Sequence, residues 1–596
     1  MLFGKHINRY YLKFAPSLLF GILSLVIVDY MQLQIPALYR TVVNGLNDGY
    51  VTVSGKEVPF DGKFLLDEVC RPMLIVILFL VLGRFLWRIC FFGSAIRVET
   101  DLRSRMFDRC KDLSQQYYKA NKVGNLMSLF TNDLETVQDC FGSGILMFCD
   151  ALILGVMAIG KMASMDPMLT LFCLVPMALL LTASLIVGRY MTLKWRARQE
   201  AFSDLSDFAQ ESFAGIAVIK AFVKESRELL AFRRINRHNE EVNVAYTRLS
   251  VLLSITVTLL VESVICVILG YGGYLVYVGE FNAGKLVEFI GYFNAIIWPV
   301  MAVSQLIEIR SRGKASLDRI SELLDTEPDV KDGEHVLDPG ELHGNIAFCD
   351  LTFRYPDGGP DVLKNLSFTI NAGENVGIVG RTGAGKTTLV DLILRTYNVP
   401  DGTVFLDGHD VNAIPIERVR KSCAYVPQDN FLFSDTIENN ITFGDGSICH
   451  ADVENAAILS DVHGNVTDFP KGYDTMLGER GVTVSGGQKQ RISIARALVK
   501  DAPILILDDS VSAVDVKTEK TILANLRSLR RGKTTILIAH RISTIESMDK
   551  ILYLEDGRLT AVGTHGQLYE SCPSYRNMVD LQKLDDPTEK EEQDHV

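Results

Sequence analysis

Paired cysteines are what this sequence most plainly lacks. Its eleven cysteines are scattered, with no Cys-x-x-Cys and no paired spacing, which excludes a disulfide framework and a zinc ribbon and leaves reduced, structural side chains. A cleavable leader pattern is missing too. Lys5, Arg9 and Lys13 precede an apolar run without a small-residue cleavage motif, so the start reads as a polar elbow entering a membrane segment. Basic residues are scarce in certain stretches: Asn47–Glu68 carries only Lys56 and Lys63 among several acids. The net charge of −12 comes largely from the C-terminal half and its acidic tail. It does not argue against a membrane, and no nucleic-acid partner is indicated.

A hydrophobic fraction of 48% beside a charged fraction of 22% averages two unlike halves. Long apolar segments crowd the region before about residue 310, and the rest has soluble composition. Six segments reach the roughly 20 apolar residues that a bilayer crossing needs: about 14–38, 73–95, 145–165, 169–190, 250–277 and 286–309. Several are apolar on every face, which fits soluble core helices poorly. The connection after the second span is rich in base (Arg97, Arg103, Arg105, Arg109, Lys111, Lys119, Lys122), as is the one after the fourth (Lys194, Arg196, Arg198, Lys220, Lys224, Arg227, Arg233, Arg234, Arg237). Excess base marks the cytosolic side, so the N-terminus, both connections and the C-terminal half are expected there. The two connections lack internal proline and read as helical extensions of the spans, broken near Lys122–Asn125 and Glu211–Gly215. Within the spans lie Asp29, Arg84, Arg88, Asp150, Lys161 and Glu262. Charges at such depth line a polar path or pair with one another, and Lys161, near a span end, reads as a snorkelling side chain.

A polar connector follows, 311–341, containing a short amphipathic stretch, Ser316–Leu324. From 342 to 584 strands and helices alternate, the pattern of an α/β domain with a largely parallel sheet. The tail 585–596 is acidic, lacks apolar periodicity and reads as disordered.

The α/β half carries the chemistry. An apolar run, Asn375–Val379, reads as a buried strand. It leads into Gly380, Arg381, Thr382, Gly383, Ala384, Gly385, Lys386, Thr387 and Thr388, and then into a helical run to Leu394. Strand, glycine loop and helix are the setting a P-loop requires. The loop's N–H groups and the helix N-terminus cradle phosphates, Lys386 reaches the β- and γ-phosphates, and Thr387 can ligate Mg²⁺. Downstream, Ile504–Asp508 is an apolar strand ending in an acid that would hold the same Mg²⁺. Between them Ser485, Gly486, Gly487 and Gln488 form a second glycine loop opening a helix, again suited to phosphate.

This second loop resembles the signature sequence of ATP-binding cassette (ABC) transporters, with Val484 where the family usually has Leu. The resemblance covers nearly the whole chain. It implies an exporter-type half-transporter: an all-α six-helix membrane domain with long cytosolic extensions, followed by an α/β P-loop NTPase cassette. In that family two cassettes pair head-to-tail, each signature capping the nucleotide on the other's P-loop. The resemblance further implies that Tyr355 stacks on adenine, Gln428 ligates Mg²⁺, Glu479 lies in the loop that touches the coupling helices, Ser512–Asp515 crosses the cassette interface, and His540 contacts the γ-phosphate. ATP and Mg²⁺ are the implied cofactors.

One position departs from the family pattern. After the Mg²⁺ aspartate the family usually has Glu, the base for the attacking water; here it is Asp509. Losing one methylene withdraws the carboxylate by about 1.5 Å, and a base must lie within roughly 2.6–3.2 Å of the proton it takes. Misplacement on this scale costs on the order of a hundredfold in rate. The site on this chain's P-loop is therefore expected to hold ATP and hydrolyse it slowly, while the intact signature at Ser485–Gln488 serves a competent site on a partner. That asymmetry is similar to the degenerate-site subunit of bacterial heterodimeric multidrug exporters. A homodimer is the other arrangement, and His540 keeps it open. The expected activity is ATP-driven export of an amphipathic drug, lipid or peptide across a bacterial plasma membrane. A gated regulatory protein or an exporter-shaped importer of metal chelates are the alternatives. The sequence names neither substrate nor partner.

Overall fold

The computed structural model describes residues 4–53, 56–333, 336–478, 481 and 483–585. The acidic tail, from residue 586, and Glu479 lie outside them. The chain forms two compact units. One comprises Met1–Lys111 and Asn121–Thr326; the other comprises Asp112–Ala120 and Glu327–Val596.

The first unit is helical. Its main helices are α1 (Ala15–Gln32), α2 (Ile35–Asp48) and α3 (Arg71–Asp112). After the short α4 (Gln115–Ala120), which belongs to the second unit, come α5 (Leu134–Met165), α6 (Pro167–Ala214), α7 (Glu225–Val267) and α8 (Ala283–Asp325). Among the described residues, five helical stretches are long and apolar enough to cross a membrane; the region expected to hold the fourth span begins α6 with a shorter apolar stretch, Pro167–Leu179. The 43 residues of α8, at about 1.5 Å each, reach roughly 65 Å, about twice the hydrocarbon thickness of a bilayer. Asp166 caps α6 by accepting from the Leu169 N–H at 2.6 Å, with Pro167 opening the helix. Gly215 closes it. Buried Leu154, Ala158, Met162, Leu169, Val264, Phe289, Tyr292 and Phe293 pack into one core.

The sixth helix corrects the sequence reading. It does not stop near Ile309 but runs unbroken to Asp325, so the supposed connector begins as its last turns. Leu317, Ile320, Leu323 and Leu324 are all buried at spacings of one helix face. Ser316 and Arg319 from the same turns both donate to the buried Asp133 carboxylate.

Of the charges expected within spans, Asp29 is buried, Asp150 accepts from the Trp298 indole N–H at 2.7 Å, and Arg84 donates to the Gln32 amide oxygen at 3.3 Å. Arg88 lies over the Trp87 ring, and Glu262 is exposed. A further pair escaped the sequence reading: Arg40 donates to the buried Glu288 at 2.8 Å, and Glu288 also accepts from the Tyr292 hydroxyl.

The second unit is α/β. Strands β1 (Ile346–Phe353), β2 (Leu363–Ile370) and β4 (Val404–Leu406), with the short His409–Asp410, form an antiparallel sheet. The main sheet holds β3 (Asn375–Gly380), β5 (Cys423–Val426), β6 (Ile504–Asp508), β7 (Thr534–Ile538), β8 (Lys550–Glu555) and β9 (Arg558–Gly563) in the order β9-β8-β3-β7-β6-β5. All its pairings are parallel except β8 with β9. β6 and β7 are buried at every residue, as expected for strands covered on both faces, and this explains their unbroken Ile and Leu runs.

Candidate nucleotide site

The sheet order brings the predicted residues together. β3, β7, β6 and β5 are neighbours and run parallel, so their C-terminal ends share one edge, where α/β sheets bind ligands. β3 ends at Gly380 and turns into α9 (Lys386–Ile393). β6 ends at Asp508, and Asp509 follows. β7 ends two residues before His540. β5 ends two residues before Gln428. Register pairs Asp508 with Ile538, and Ile538 with Ile378.

The loop between β3 and α9 requires its glycines. A Cβ at Gly380 would lie 2.2 Å from the Leu554 carbonyl oxygen. Gly385 has φ +92°, and a Cβ there would meet the Leu363 side chain at 2.6 Å. Lys386 is buried, and its Nζ donates to the carbonyls of Gly380 at 2.9 Å and Arg381 at 3.1 Å. Burial pushes its pKa down, partly opposed by Asp508 and Asp509. Arg381, Thr382, Gly383 and Ala384 complete the turn, and Thr387 lies in the first turn of α9.

Asp508 is 1% exposed, and its Oδ2 has no hydrogen-bond partner. Burial and the neighbouring Asp509 push its carboxyl up; a hydrogen bond from Thr387 and the charges of Lys386 and His540 oppose this. An orphaned buried carboxylate oxygen beside a threonine hydroxyl is the donor set that Mg²⁺ takes, so the residues fit the ion. Gln428 lies next to them, its amide 3.4 Å from the Asp509 carboxylate. Asp509 has φ +47°, and its N–H donates to the Ile538 carbonyl at 3.0 Å. His540 is exposed, and its carbonyl accepts from the Gln582 amide at 2.7 Å.

Tyr355 stands beside α9. Its hydroxyl bonds to Thr388 Oγ1 at 2.8 Å, and its ring packs edge-on against Phe353 and Tyr397. Two neighbours were not singled out for this site. Lys119, on α4, donates to the Tyr397 hydroxyl at 2.8 Å and lies over the Tyr355 ring, 5.7 Å from its centroid. Asp391, on α9, is buried, and burial pushes its carboxyl up to about 6 against the pull of Lys119.

The second glycine loop lies apart on the chain and opens α10 (Gly486–Val499). Ser485 and Gln488 form a reciprocal capping box: Ser485 Oγ accepts from the Gln488 N–H at 3.3 Å, and Gln488 Oε1 accepts from the Ser485 N–H at 2.9 Å. A Cβ at Gly487 would lie 3.0 Å from the Ala513 carbonyl, so the loop presents backbone where a larger residue would crowd it.

The sequence matches two family models, the ABC transporter transmembrane region over residues 18–300 and the ABC transporter over residues 363–512. A protein named "Probable multidrug resistance ABC transporter ATP-binding/permease protein YheI", from Bacillus subtilis, is 35% identical over 98% of this chain and 97% of its own length. The chain belongs to the ABC transporter family. "Multidrug resistance-like ATP-binding protein MdlA" of Escherichia coli is 34% identical over 94% of this ABC transporter and 93% of its own length. Among solved structures, "Structure of a bacterial Atm1-family ABC exporter with ATP bound" superposes with a TM-score of 0.76 at 26% identity, over 96% of this chain and 99% of that one. This ABC transporter has the exporter half-transporter layout, a helical membrane domain followed by one cassette.

Proposed function

We propose that this half-transporter exports amphipathic molecules as one half of a heterodimer, with ATP bound at both cassettes and hydrolysed mainly at the site completed by this chain's signature. The observation that carries the reading is Asp509, a short carboxylate directly after the buried Asp508, in a chain whose capping box at Ser485–Gln488 is intact.

In the P-loop site, Lys386 and the N–H groups of the loop and α9 would hold the triphosphate. Thr387, Asp508 and Gln428 would hold Mg²⁺, which supplies charge neutralisation at the β- and γ-phosphates. Tyr355 would stack on the base. His540 would face the γ-phosphate, and Asp509 would meet the water from too far away. Ser485 and the N–H groups of Gly486 and Gly487 would grip the nucleotide of a second cassette.

A two-chain assembly is supported by the tip between α6 and α7. Phe213, Ile216, Val218, Phe222 and Val223 are exposed there, an apolar patch of the kind that marks a protein contact. Relatives named for multidrug resistance and multidrug export support a drug-like substrate. The basic connections support cytosolic termini, and the bacterial relatives support a bacterial plasma membrane.

Purification alone and with a similar chain that carries Glu after its Mg²⁺ aspartate tests this reading. The pair should show strong ATPase activity and the single chain little. A stable, active homodimer whose activity vanishes on Asp509→Asn would sink the proposal.

A further inference from the structure

Lys119 comes from the connection between the second and third spans, far from the P-loop in sequence, yet α4 folds as part of the cassette unit. Its ammonium makes three contacts around the base-stacking tyrosine. It donates to Tyr397 Oη at 2.8 Å, lies 5.3 Å from the Tyr397 ring centroid, and lies 5.7 Å from that of Tyr355. The two rings meet edge-on at 5.1 Å, and the Tyr355 hydroxyl is tied to Thr388 on α9. The ammonium is thus one corner of a cluster whose opposite corner is the helix that opens the phosphate site.

The chemistry follows from this geometry. A cation over an aromatic face is attracted by the ring quadrupole. Lys119 also fixes where the ring stands, because it is anchored to Tyr397 independently of Tyr355. Although desolvation opposes its charge, the Tyr397 hydroxyl and the nearby Asp391 and Tyr355 keep Lys119 protonated above its ordinary range.

We propose that Lys119 is a positioning residue of the nucleotide site, holding Tyr355 for base stacking and so setting the affinity for the adenine part of the ligand. The inference rests on the reading of Tyr355 as the base-stacking residue, not on the heterodimer.

The test is equilibrium binding of ATP and of inorganic tripolyphosphate, which has no base, to the purified full-length chain. Lys119→Gln should weaken ATP about three- to tenfold, in the range of a cation–π contact, and leave tripolyphosphate unchanged. Lys119→Arg should restore most of the loss. In the Tyr355→Ala background Lys119→Gln should have no further effect, because two residues acting through one contact are not additive. If Lys119→Gln leaves ATP affinity intact while Tyr355→Ala weakens it, the inference fails and the base-stacking reading stands. If Tyr355→Ala itself leaves ATP affinity intact, that reading fails and takes the inference with it. Equal weakening of ATP and tripolyphosphate would make Lys119 a general structural residue and overturn its role in base recognition.

Discussion

If the acid after Asp508 positions the attacking water, one methylene at Asp509 would set the rate of the site. The Asp509 backbone is in the left-handed region, at φ +47°, where Asp is better tolerated than most residues. The Ile538 carbonyl holds its N–H, so the side chain has a fixed origin and its reach is set by its length. Extending it should bring a carboxylate to the water. In the assembled pair, Asp509→Glu is expected to raise ATP hydrolysis severalfold, up to about a hundredfold at this site; steady-state phosphate release measures it, and no increase would mean that side-chain length is not the limiting defect. Asp391 makes a different prediction. Its folded pKa of about 6 lies above the unfolded value near 3.9. Between about pH 4 and pH 6 the native state keeps a proton that the unfolded chain has lost, so this group's contribution falls as pH rises through that window and is flat above it. The loss is on the order of 2–3 kcal/mol. Asp391→Asn should remove that slope when thermal unfolding of the detergent-purified chain is followed across the window, and an unchanged slope would assign the pH dependence to other groups.

Among elements, legibility followed locality. The strand, loop and α9 around Gly380 could be read because the residue types that mark the turn lie within it: glycines, a lysine, a threonine and a buried apolar strand. The aspartate at the end of β6 was equally plain. What the sequence could not give was strand order, because β7, which sits between β3 and β6, is the later strand in the chain. Only that insertion puts His540 between the Gly380 loop and Asp508. The end of α8 was misjudged for a related reason. Polar residues after Ile309 looked like a linker, but Leu317, Ile320, Leu323 and Leu324 continue one buried face, and with no proline between Pro299 and Pro328 the helix runs on to Asp325. Lys119 is the extreme case. Its partner Tyr397 lies 278 positions away, and nothing in its local sequence separates it from the other basic residues of its connection. Arg40 and Glu288 were missed the same way, as single charges in apolar surroundings whose pairing exists only in the fold.

For the whole molecule, the two glycine loops have different owners. On the proposed reading, the loop at Gly380 would serve this chain's own nucleotide, and the loop at Ser485 the nucleotide of a partner cassette. If hydrolysis runs mainly at the partner's site, damage to this chain's signature should hurt more than damage to its own acid. In the pair, Ser485→Ala removes a hydroxyl that would contact phosphate and also the N-cap of α10, a cap worth about 1 kcal/mol. Ser485→Thr keeps a hydroxyl in both roles and separates loss of helix stability from loss of phosphate contact. Ser485→Ala should lower ATPase activity by at least about tenfold, a loss of some 1.4 kcal/mol of transition-state binding. Ser485→Thr should retain most of the activity. Asp509→Asn, which would disable the site proposed to be slow, should change the total by less than about twofold. In a symmetric homodimer each substitution would strike both sites, and Asp509→Asn would be at least as damaging as Ser485→Ala. The order of the two losses, measured as phosphate release at saturating ATP, therefore decides between the two assemblies.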